Sequence, residues 1–326
     1  MFTTPPVLFL HFNRPDLAEQ VFAAIRKARP AQLFFAADGP RPDHNGEAEL
    51  CRRSRQLVNR VDWPCEKKTR FLDTNLGCKK AVSSAITWFF GNVTEGIVLE
   101  DDCLPDPSFF PYCAELLEKY RHEPRIALIS GNNFQNPSTW KPDAYYFSIY
   151  THIWGWASWQ RAWRAYSSNM EQWPRFKKSR QFRKLLVYSS VTDHWSQVFD
   201  QCYRGEIDTW DCQWAFSCWA KGMLSILPSC NLVSNIGFDA RGTHTVDQYS
   251  FGSRIPLRSI SLPLRHPMQV QPNQKADNWT HRVVFGIPDV GLVQQVRRRI
   301  SHAISILPQP IGHAIRYFIS LRHRHP

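Results

Sequence analysis

The sequence contains no apolar run long enough to cross a membrane. The longest early run, Val7–Leu10, falls far short of the roughly 20 residues that a spanning helix needs. No basic segment followed by an apolar stretch opens the chain, so we find no secretory signal. Neither GxxxxGK(S/T) nor GxGxxG occurs, which argues against a P-loop NTPase and a standard dinucleotide-binding fold. A phosphate-bearing ligand would therefore need a cation rather than a glycine-rich loop.

Paired cysteines are also missing. The nine cysteines are odd in number, scattered along the chain and free of any CxxC pair. This pattern fits reduced thiols better than a disulfide framework or a zinc site. We therefore expect a cytoplasmic protein. Its 326 residues suit one large domain with an addition.

Acidic residues are absent from the C-terminal tail. After Asp289 the sequence has six arginines and no Asp or Glu, in a chain with a formal net charge of +12. Two apolar stretches at helical spacing lie in this tail. They predict a basic amphipathic helix peripheral to the inner face of an anionic membrane, or one that packs on the protein or a second subunit. Because the basic residues gather here rather than along an aromatic groove, we expect no nucleic-acid partner.

The first 130 residues alternate short apolar runs with amphipathic stretches. Strands are predicted over Val7–His11, Gln32–Ala37, Thr69–Leu72, Gly96–Leu99 and Ile126–Ser130. Helices are predicted over Pro15–Lys27, Gly46–Val61, Cys78–Phe90 and Pro107–Tyr120, the last with Asp106 as its N-cap. This alternation indicates an α/β fold, a mostly parallel sheet flanked by helices.

The second half of the sequence has a different texture. Residues 145–220 hold nine of the thirteen tryptophans, and we expect them to be mostly helical. Late strands are predicted over Leu224–Leu227 and Asn231–Ile236. We divide the chain into a main domain (1–250), a loop-rich extension (251–289) and the basic tail (290–326).

Polar residues follow the first four predicted strands, at the edge where ligands bind in parallel sheets. They are Phe12-Asn13-Arg14, Asp38-Gly39, Asp73-Thr74-Asn75 and Glu100-Asp101-Asp102. The first two groups could hydrogen-bond a base and a ribose. The simpler alternatives are an Arg14–Asp16 pair and an ordinary turn at 38–40.

An anion site is predicted at the start of the third helix. It would be formed by Asn75, Lys79 and Lys80, because a helix N-terminus with lysines attracts anions. The alternative is that these lysines are simply solvated.

Three consecutive acids end the fourth strand. Adjacent carboxylates raise one another's pKa unless a cation or a donor compensates them. Mg²⁺ or Mn²⁺ does this well, with phosphate oxygens and water completing its ligands. We therefore interpret Glu100-Asp101-Asp102 as a metal site for a diphosphate, with a solvated acidic loop as the alternative.

A second acidic group lies among tryptophans, in the segment DTWDCQW. Asp208 and Thr209 could cap a helix that carries Trp210 and Trp214. Asp211, among aromatic residues, could serve as a general base. The alternative is an acid placed favourably at a helix N-terminus.

Other candidates surround these acids. We expect Trp154, Trp156 and Trp159, with Asn132 and Asn133, to line the side where an acceptor binds. Trp210 is expected to contact a sugar as well, since sugar rings stack on aromatic faces. Many of the tryptophans must nevertheless belong to the core.

Several sequence blocks resemble a known enzyme group. They are LFLHFNRPDLAEQVFAAIRKARPAQLFFAADGP, NLGCKKAVSSAITWFF, GIVLEDDCLPDPSFFPYCAELLEKY, HIWGWASWQRAW and WDCQWAF with NLVSNIGF and GTHT. Together these blocks resemble bacterial nucleotide-diphospho-sugar transferases, the hemolytic-protein-like group. More distantly they are similar to the animal N-acetylglucosaminyltransferases of the N-glycan pathway, inverting enzymes of the GT-A fold. The resemblance covers about residues 5–246.

The resemblance implies a role for several residues. Asp102 would ligate the metal and Asp101 would lie near the ribose. Arg14 and Asp38 would hold the nucleoside, and Asp211 would deprotonate the acceptor hydroxyl.

The resemblance also bears on Asp208 and His244. Asp208 stays open as an alternative base, because the animal enzymes have Trp-Asp-Asp-Trp where this chain has Trp-Asp-Cys-Gln-Trp. His244 would parallel a histidine that turns to the metal or the diphosphate.

The sequence therefore predicts a metal-dependent, inverting glycosyltransferase with a GT-A-type fold. Its donor would be a nucleoside-diphosphate sugar, with UDP favoured by analogy alone. Its acceptor would be a saccharide or lipid-linked saccharide, as in surface polysaccharide synthesis. A sugar nucleotidyltransferase and a non-catalytic carbohydrate-binding protein remain as alternatives.

Overall fold

The computed structural model describes residues 3–135, 143–186, 188–238 and 255–287. His244 and the tail 290–326 lie outside these ranges, so their predicted roles stay predictions. The strands are β1 Val7–His11, β2 Gln32–Ala37, β3 Glu66–Phe71, β4 Glu95–Glu100, β5 Cys103–Pro105, β6 Ile126–Ser130, β7 Tyr145–Ser148, β8 Trp156–Trp159, β9 Leu224–Pro228 and β10 Val233–Asn235.

Ten α-helices lie in the described ranges. They are α1 Pro15–Ala28, α2 Glu47–Arg55, α3 Gly77–Asn92, α4 Phe109–Lys119, α5 Gln160–Trp163, α6 Trp173–Lys177, α7 Arg180–Leu185, α8 Ser189–Arg204, α9 Asp211–Ala220 and α10 Gln274–Trp279. A 3-10 helix, Gln56–Arg60, extends α2, and a π-helical turn, Thr280–Val284, extends α10. No helix of the described segments is both long and apolar enough to span a bilayer.

Eight strands form one sheet in the order β3-β2-β1-β4-β8-β6-β9-β7. Six of them run in the same direction, because β8 is antiparallel to both β4 and β6 and β7 is antiparallel to β9. β5 and β10 pair separately. The α/β fold with a mostly parallel sheet flanked by helices is confirmed, and β1, β2 and β6 have the predicted bounds.

Both faces of the sheet are buried, as continuous apolar strands require. In β1, Leu8 and Leu10 pack on the side of α3, while Val7 and Phe9 pack on the side of α1 and α4. The carboxyl ends of β1, β2, β3 and β4 therefore open along one edge, between helices on either face.

Residues 145–220 are mostly helical, as predicted, since α5 to α9 lie in this range. The prediction missed two short strands, β7 and β8, at its start. Trp156 and Trp210 stack with ring centroids 5.8 Å apart, inside a buried cluster that also contains Trp163 and Trp214.

The predicted cap of α4 is also corrected. Asp106 accepts hydrogen bonds from the backbone nitrogen and the hydroxyl of Ser108, but the helix begins only at Phe109. Asp106 therefore shapes the turn before the helix and does not cap it.

A buried carboxyl joins α10 to the sheet and gives a pH-dependent prediction. Asp277 accepts hydrogen bonds from the Ser148 hydroxyl and the Ile149 backbone nitrogen, and burial raises its pKa to about 7. The unfolded chain, where the pKa is ordinary, loses this proton earlier, so the stability from Asp277 falls as pH rises from 4 to 7. The free energy of unfolding of Asp277→Asn, relative to wild type, should rise by about 2–3 kcal/mol between pH 5 and pH 8.

Chemical denaturation at a series of pH values checks this expectation. Asp193→Asn provides the matched control, because it removes an exposed carboxyl instead of a buried one. A constant offset for Asp277→Asn across the range would contradict the prediction.

Candidate active site

A cavity of about 700 Å³ opens at the carboxyl ends of β1, β2, β3 and β4. Small and apolar residues of the sheet and of α3 form its floor, among them Leu10, Ala36, Ala81 and Ala85. Seven residues predicted to bind a nucleotide line it: Phe12, Asn13, Arg14, Asp38, Asn75, Glu100 and Asp101. The strand order thus brings together side chains that lie up to 89 positions apart in the sequence.

The acidic triplet is compensated in part by an arginine. The Arg14 guanidinium pairs with Asp101 and, at 2.9 Å, with Asp102. Asp101 also accepts a hydrogen bond from the Phe12 backbone nitrogen, at 3.2 Å. Burial raises the pKa of Asp101 to about 6, although Arg14 opposes the rise. Arg14 therefore pairs with two of the acids and also lines the cavity. Its predicted contact with a nucleoside stays a prediction.

Glu100 has no such compensation. It lines the cavity, and its carboxyl makes no hydrogen bond to any residue within the described ranges. Its pKa is raised to about 8, first by burial and then by Asp102, Asp101 and Asp211. If all four carboxyls were ionised, Arg14 would balance only one of them, so a cation bound at this edge would favour their ionised forms.

The loop between β1 and α1 is held in place by Glu47 and Arg41. Glu47, which is buried, accepts a hydrogen bond from Asn13 at 2.8 Å and pairs with Arg41. The Arg41 guanidinium lies 5.8 Å from the centre of the Phe12 ring. These contacts fix Phe12 and Asn13 at the cavity, and neither Arg41 nor Glu47 belonged to a sequence motif.

The N-terminus of α3 is already occupied by carboxylates. Asp38 accepts from the backbone nitrogens of Leu76 and Gly77, and Asp208 accepts from those of Cys78 and Lys79. Burial raises the pKa of Asp38, and its backbone donors oppose this rise. The backbone donors that were predicted to bind an anion together with the lysines are therefore already used by the protein.

The other residues of this predicted anion site have separate roles. Asn75 donates to the Gly39 carbonyl at 2.9 Å, and a Cβ on Gly39 would collide with the Thr74 backbone. Gly39 therefore permits the close approach of two loops. Lys80 is exposed, and neither Lys79 nor Lys80 lines the cavity.

The two candidate bases differ in their hydrogen bonding. Both carboxylate oxygens of Asp208 are engaged by α3, so it caps that helix and not α9. Asp211 uses one oxygen, Oδ1, to accept from Thr209 and from the Cys212 backbone nitrogen. Its other oxygen has no hydrogen bond to a residue in the described segments.

The residues predicted for the acceptor side are mostly buried. Asn132 is fully buried, donates to the Val233 carbonyl at 3.2 Å and accepts from the Trp154 backbone nitrogen at 2.9 Å. Trp156 and Trp210 are core residues, so their predicted contact with a sugar is corrected. Only Trp154 of the block stays partly exposed, with Phe238 against its ring at 5.7 Å.

Further residues at this edge were missed by the sequence interpretation. Arg70 lines the cavity, hydrogen-bonds Ser84 at 3.1 Å and forms no ion pair with another described residue. Gly237 lies so close to the acids that an added Cβ would stand 2.7 Å from Arg14 Nη1 and 2.8 Å from Asp102 Cβ. A lone arginine in a strand and a glycine in a loop carry no sequence signal of such a role.

The donor set suits a metal that shares its ligands with a substrate. No group of three or more His, Cys, Asp or Glu residues with metal-binding geometry occurs in the described ranges. Glu100 is uncompensated, and each oxygen of Asp102 accepts one hydrogen bond, Oδ2 from Arg14 and Oδ1 from the Cys103 thiol. These two carboxylates fit a hard cation that takes few protein ligands and draws the rest from phosphate and water. Such a cation fits this edge only together with a phosphate-bearing ligand.

Comparison with known proteins gives only a distant structural similarity. No protein-family model and no curated protein sequence matches the chain. The structure of the inositol-1-phosphate CTP transferase from T. maritima is similar over 52% of this chain and 76% of its own, with 9% identity and a TM-score of 0.29. A similarity of this size carries no argument about activity.

Proposed function

We propose that this protein is a metal-dependent glycosyltransferase that moves a sugar from a nucleoside-diphosphate sugar to an acceptor hydroxyl. The observation that carries the proposal is the cavity at the ends of β1–β4, where an apolar floor meets an excess of carboxylates. An apolar slot suits a nucleoside, and surplus carboxylates suit a cation that binds a diphosphate. The sequence resemblance to nucleotide-diphospho-sugar transferases agrees with both features.

The proposed donor lies across the four strands. Its diphosphate is near Glu100 and Asp102, and its nucleoside extends over Leu10 and Ala36 beneath α3. Arg70 is three strand spacings away from Asp102, about 14 Å, which is near the length of an extended nucleoside diphosphate. The base therefore reaches Arg70, whose guanidinium donates hydrogen bonds and accepts none.

Catalysis in this proposal needs one base. Mn²⁺ or Mg²⁺, held by Asp102 with Glu100 beside it, would stabilise the charge of the departing diphosphate. Asp211 accepts the proton of the acceptor hydroxyl on the oxygen that is free of hydrogen bonds. Attack from the face opposite the diphosphate gives a single displacement with inversion. Trp154 is the remaining aromatic candidate for the acceptor side.

The acceptor proposed here is a saccharide or a lipid-linked saccharide. A basic tail on an anionic membrane would bring the enzyme to a lipid-linked acceptor. This part of the proposal depends on residues 290–326 and on the resemblance, and not on the cavity.

Calorimetric titration tests the central claim. UDP and GDP are titrated with and without Mn²⁺, and we expect one of them to bind with metal and to bind much more weakly without it. The release of nucleoside diphosphate from a panel of donor sugars and saccharide acceptors then identifies the reaction. Absence of binding by both nucleotides under all conditions would refute the proposal. Release of pyrophosphate from a nucleoside triphosphate and a sugar 1-phosphate would indicate a nucleotidyltransferase instead.

Arg70 gives a prediction that the sequence alone did not. Arg70→Met should weaken the binding of the preferred nucleoside diphosphate roughly 10–100-fold, because a charged donor to a ligand contributes about 1.5–3 kcal/mol. Arg70→Lys keeps the charge and should lose less. The matched control is Lys67→Met. Lys67 is an exposed residue of the same strand and does not line the cavity. Equal affinities for Arg70→Met and wild type would contradict the assignment.

A further inference from the structure

The excess of positive over negative charge comes from two segments of the chain. The tail after Asp289 carries six arginines and no acid, and residues 175–184 carry six Lys and Arg and no acid. Removing these twelve leaves 28 Lys and Arg against 28 Asp and Glu, so the rest of the chain is balanced. The stretch 175–184 therefore supplies half of the formal net charge of +12 within ten residues.

The exposed basic side chains of this stretch make up what we call the α6–α7 face. They are Arg175, Lys177, Lys178, Arg180, Arg183 and Lys184, on two short helices and the turn between them. Lys177 pairs with Asp200 at 2.6 Å, while the other five form no ion pair with a described residue. Five uncompensated cations at this density repel one another, and this repulsion falls when an anionic surface lies opposite.

The α6–α7 face is held firmly on the body of the protein. Trp173, Phe176 and Phe182 point inward and are buried in the aromatic cluster with α8 and α9. Ser179 caps α7 by accepting from the Phe182 backbone nitrogen, and Gln181 donates to the Trp219 carbonyl at the end of α9. The backbone that carries the cations is thus fixed by packing, so binding does not have to order it.

We propose that the α6–α7 face binds an anionic phospholipid membrane. Each basic residue at an anionic bilayer contributes about 1 kcal/mol, and clusters of four to eight such residues are typical of proteins that bind anionic lipids. The aromatic residues of this segment are buried, so the face offers no ring on which a nucleobase would stack.

The face does not overlap the cavity, because none of its residues lines the cavity. It lies at the C-terminal end of α9, one helix length, about 15 Å, from Asp211 at the other end. Together with the basic tail it would give two contacts to the same surface, and binding at one site raises the effective concentration at the other.

Flotation of the full chain with lipid vesicles tests the proposal. Vesicles of phosphatidylcholine with one third phosphatidylglycerol are compared with vesicles of phosphatidylcholine alone. The test variant is Lys178→Gln, Arg180→Gln, Arg183→Gln and Lys184→Gln together. The control removes the same charge elsewhere, from exposed residues that form no ion pair with a described residue: Lys27→Gln, Arg53→Gln, Lys67→Gln and Lys275→Gln.

We expect wild type and control to float with the anionic vesicles and the test variant to bind at least tenfold more weakly. High salt should weaken binding, because it shortens the Debye length from about 8 Å at physiological ionic strength to about 3 Å at 1 M and so screens the attraction. Equal melting temperatures of the two variants would show that both are folded. Equal binding by test variant and control would overturn the proposal, because the tail or overall charge would then account for it. Binding of wild type to a DNA or RNA oligonucleotide but not to anionic vesicles would overturn it in favour of nucleic acid.

Discussion

Asp211→Asn is expected to lower the rate of sugar transfer by ~10²–10⁴-fold, the usual contribution of a general base. The substitution keeps the shape of the side chain and an acceptor for Thr209 and the Cys212 backbone nitrogen. It removes the ability to take a proton from an acceptor hydroxyl. The affinity for the nucleoside diphosphate should stay close to that of wild type, because Asp211 does not line the cavity.

Asp208→Asn is the matched control for this experiment. Asp208 binds the backbone nitrogens of Cys78 and Lys79 with both oxygens, so its replacement weakens a helix cap and costs about 1 kcal/mol of stability. Its transfer rate should remain far above that of Asp211→Asn. The measurements are the release of nucleoside diphosphate with the best acceptor, the nucleotide affinity and the melting temperature of each variant. A reversed order of the two rates would assign the base to Asp208.

The first four strands and the polar groups that follow them could be predicted from the sequence. Continuous apolar runs such as Val7–His11 and Gln32–Ala37 are bounded by clear turn signals, and parallel strands end at a common edge. The presence of Glu100, Arg14 and Asp38 at one edge of the sheet follows from that topology. Local sequence and global fold agree here, which is why the prediction holds.

The second half was harder because its signals are ambiguous. β8, Trp156–Trp159, has only four residues and runs directly into α5 without a glycine or proline between them. Aromatic residues also fill cores and line sugar sites equally well, so spacing could not show that Trp156 and Trp210 are buried. Their burial depends on α9 packing against the sheet, which only the tertiary structure reveals.

Long-range pairing explains the remaining differences. Asp208 accepts a hydrogen bond from Cys78 of α3, 130 positions away in the sequence. The sequence around these two residues does not indicate the contact. Arg70 faces the cavity because its register partner in β2 is Ala36, whose small side chain leaves room above the sheet. Chemistry of this kind depends on register, and a single sequence does not contain it.

Asp102→Asn is expected to remove the metal-dependent part of nucleotide binding. Replacing a residue that only hydrogen-bonds a metal ligand typically lowers metal affinity by about 10–100-fold. Asp102 is the proposed ligand itself, so its replacement should lower nucleotide affinity in the presence of Mn²⁺ by more than that. Binding without Mn²⁺ should change little, because Arg14 keeps its pair with Asp101. Titrations of the preferred nucleotide with and without Mn²⁺ measure both quantities for the variant and for wild type.

The alternative is that the triplet exists to hold Arg14 and needs no metal. Under that alternative, Asp102→Asn would lower affinity equally with and without Mn²⁺, because the fold around Arg14 would loosen in both conditions. Asp193→Asn, an exposed acid far from the cavity in sequence, controls for the loss of one negative charge. A metal-dependent loss at Asp102 together with unchanged binding at position 193 would tie the surplus of carboxylates to a cation. That outcome would also explain why a chain with so much positive charge keeps three acids at the end of one strand.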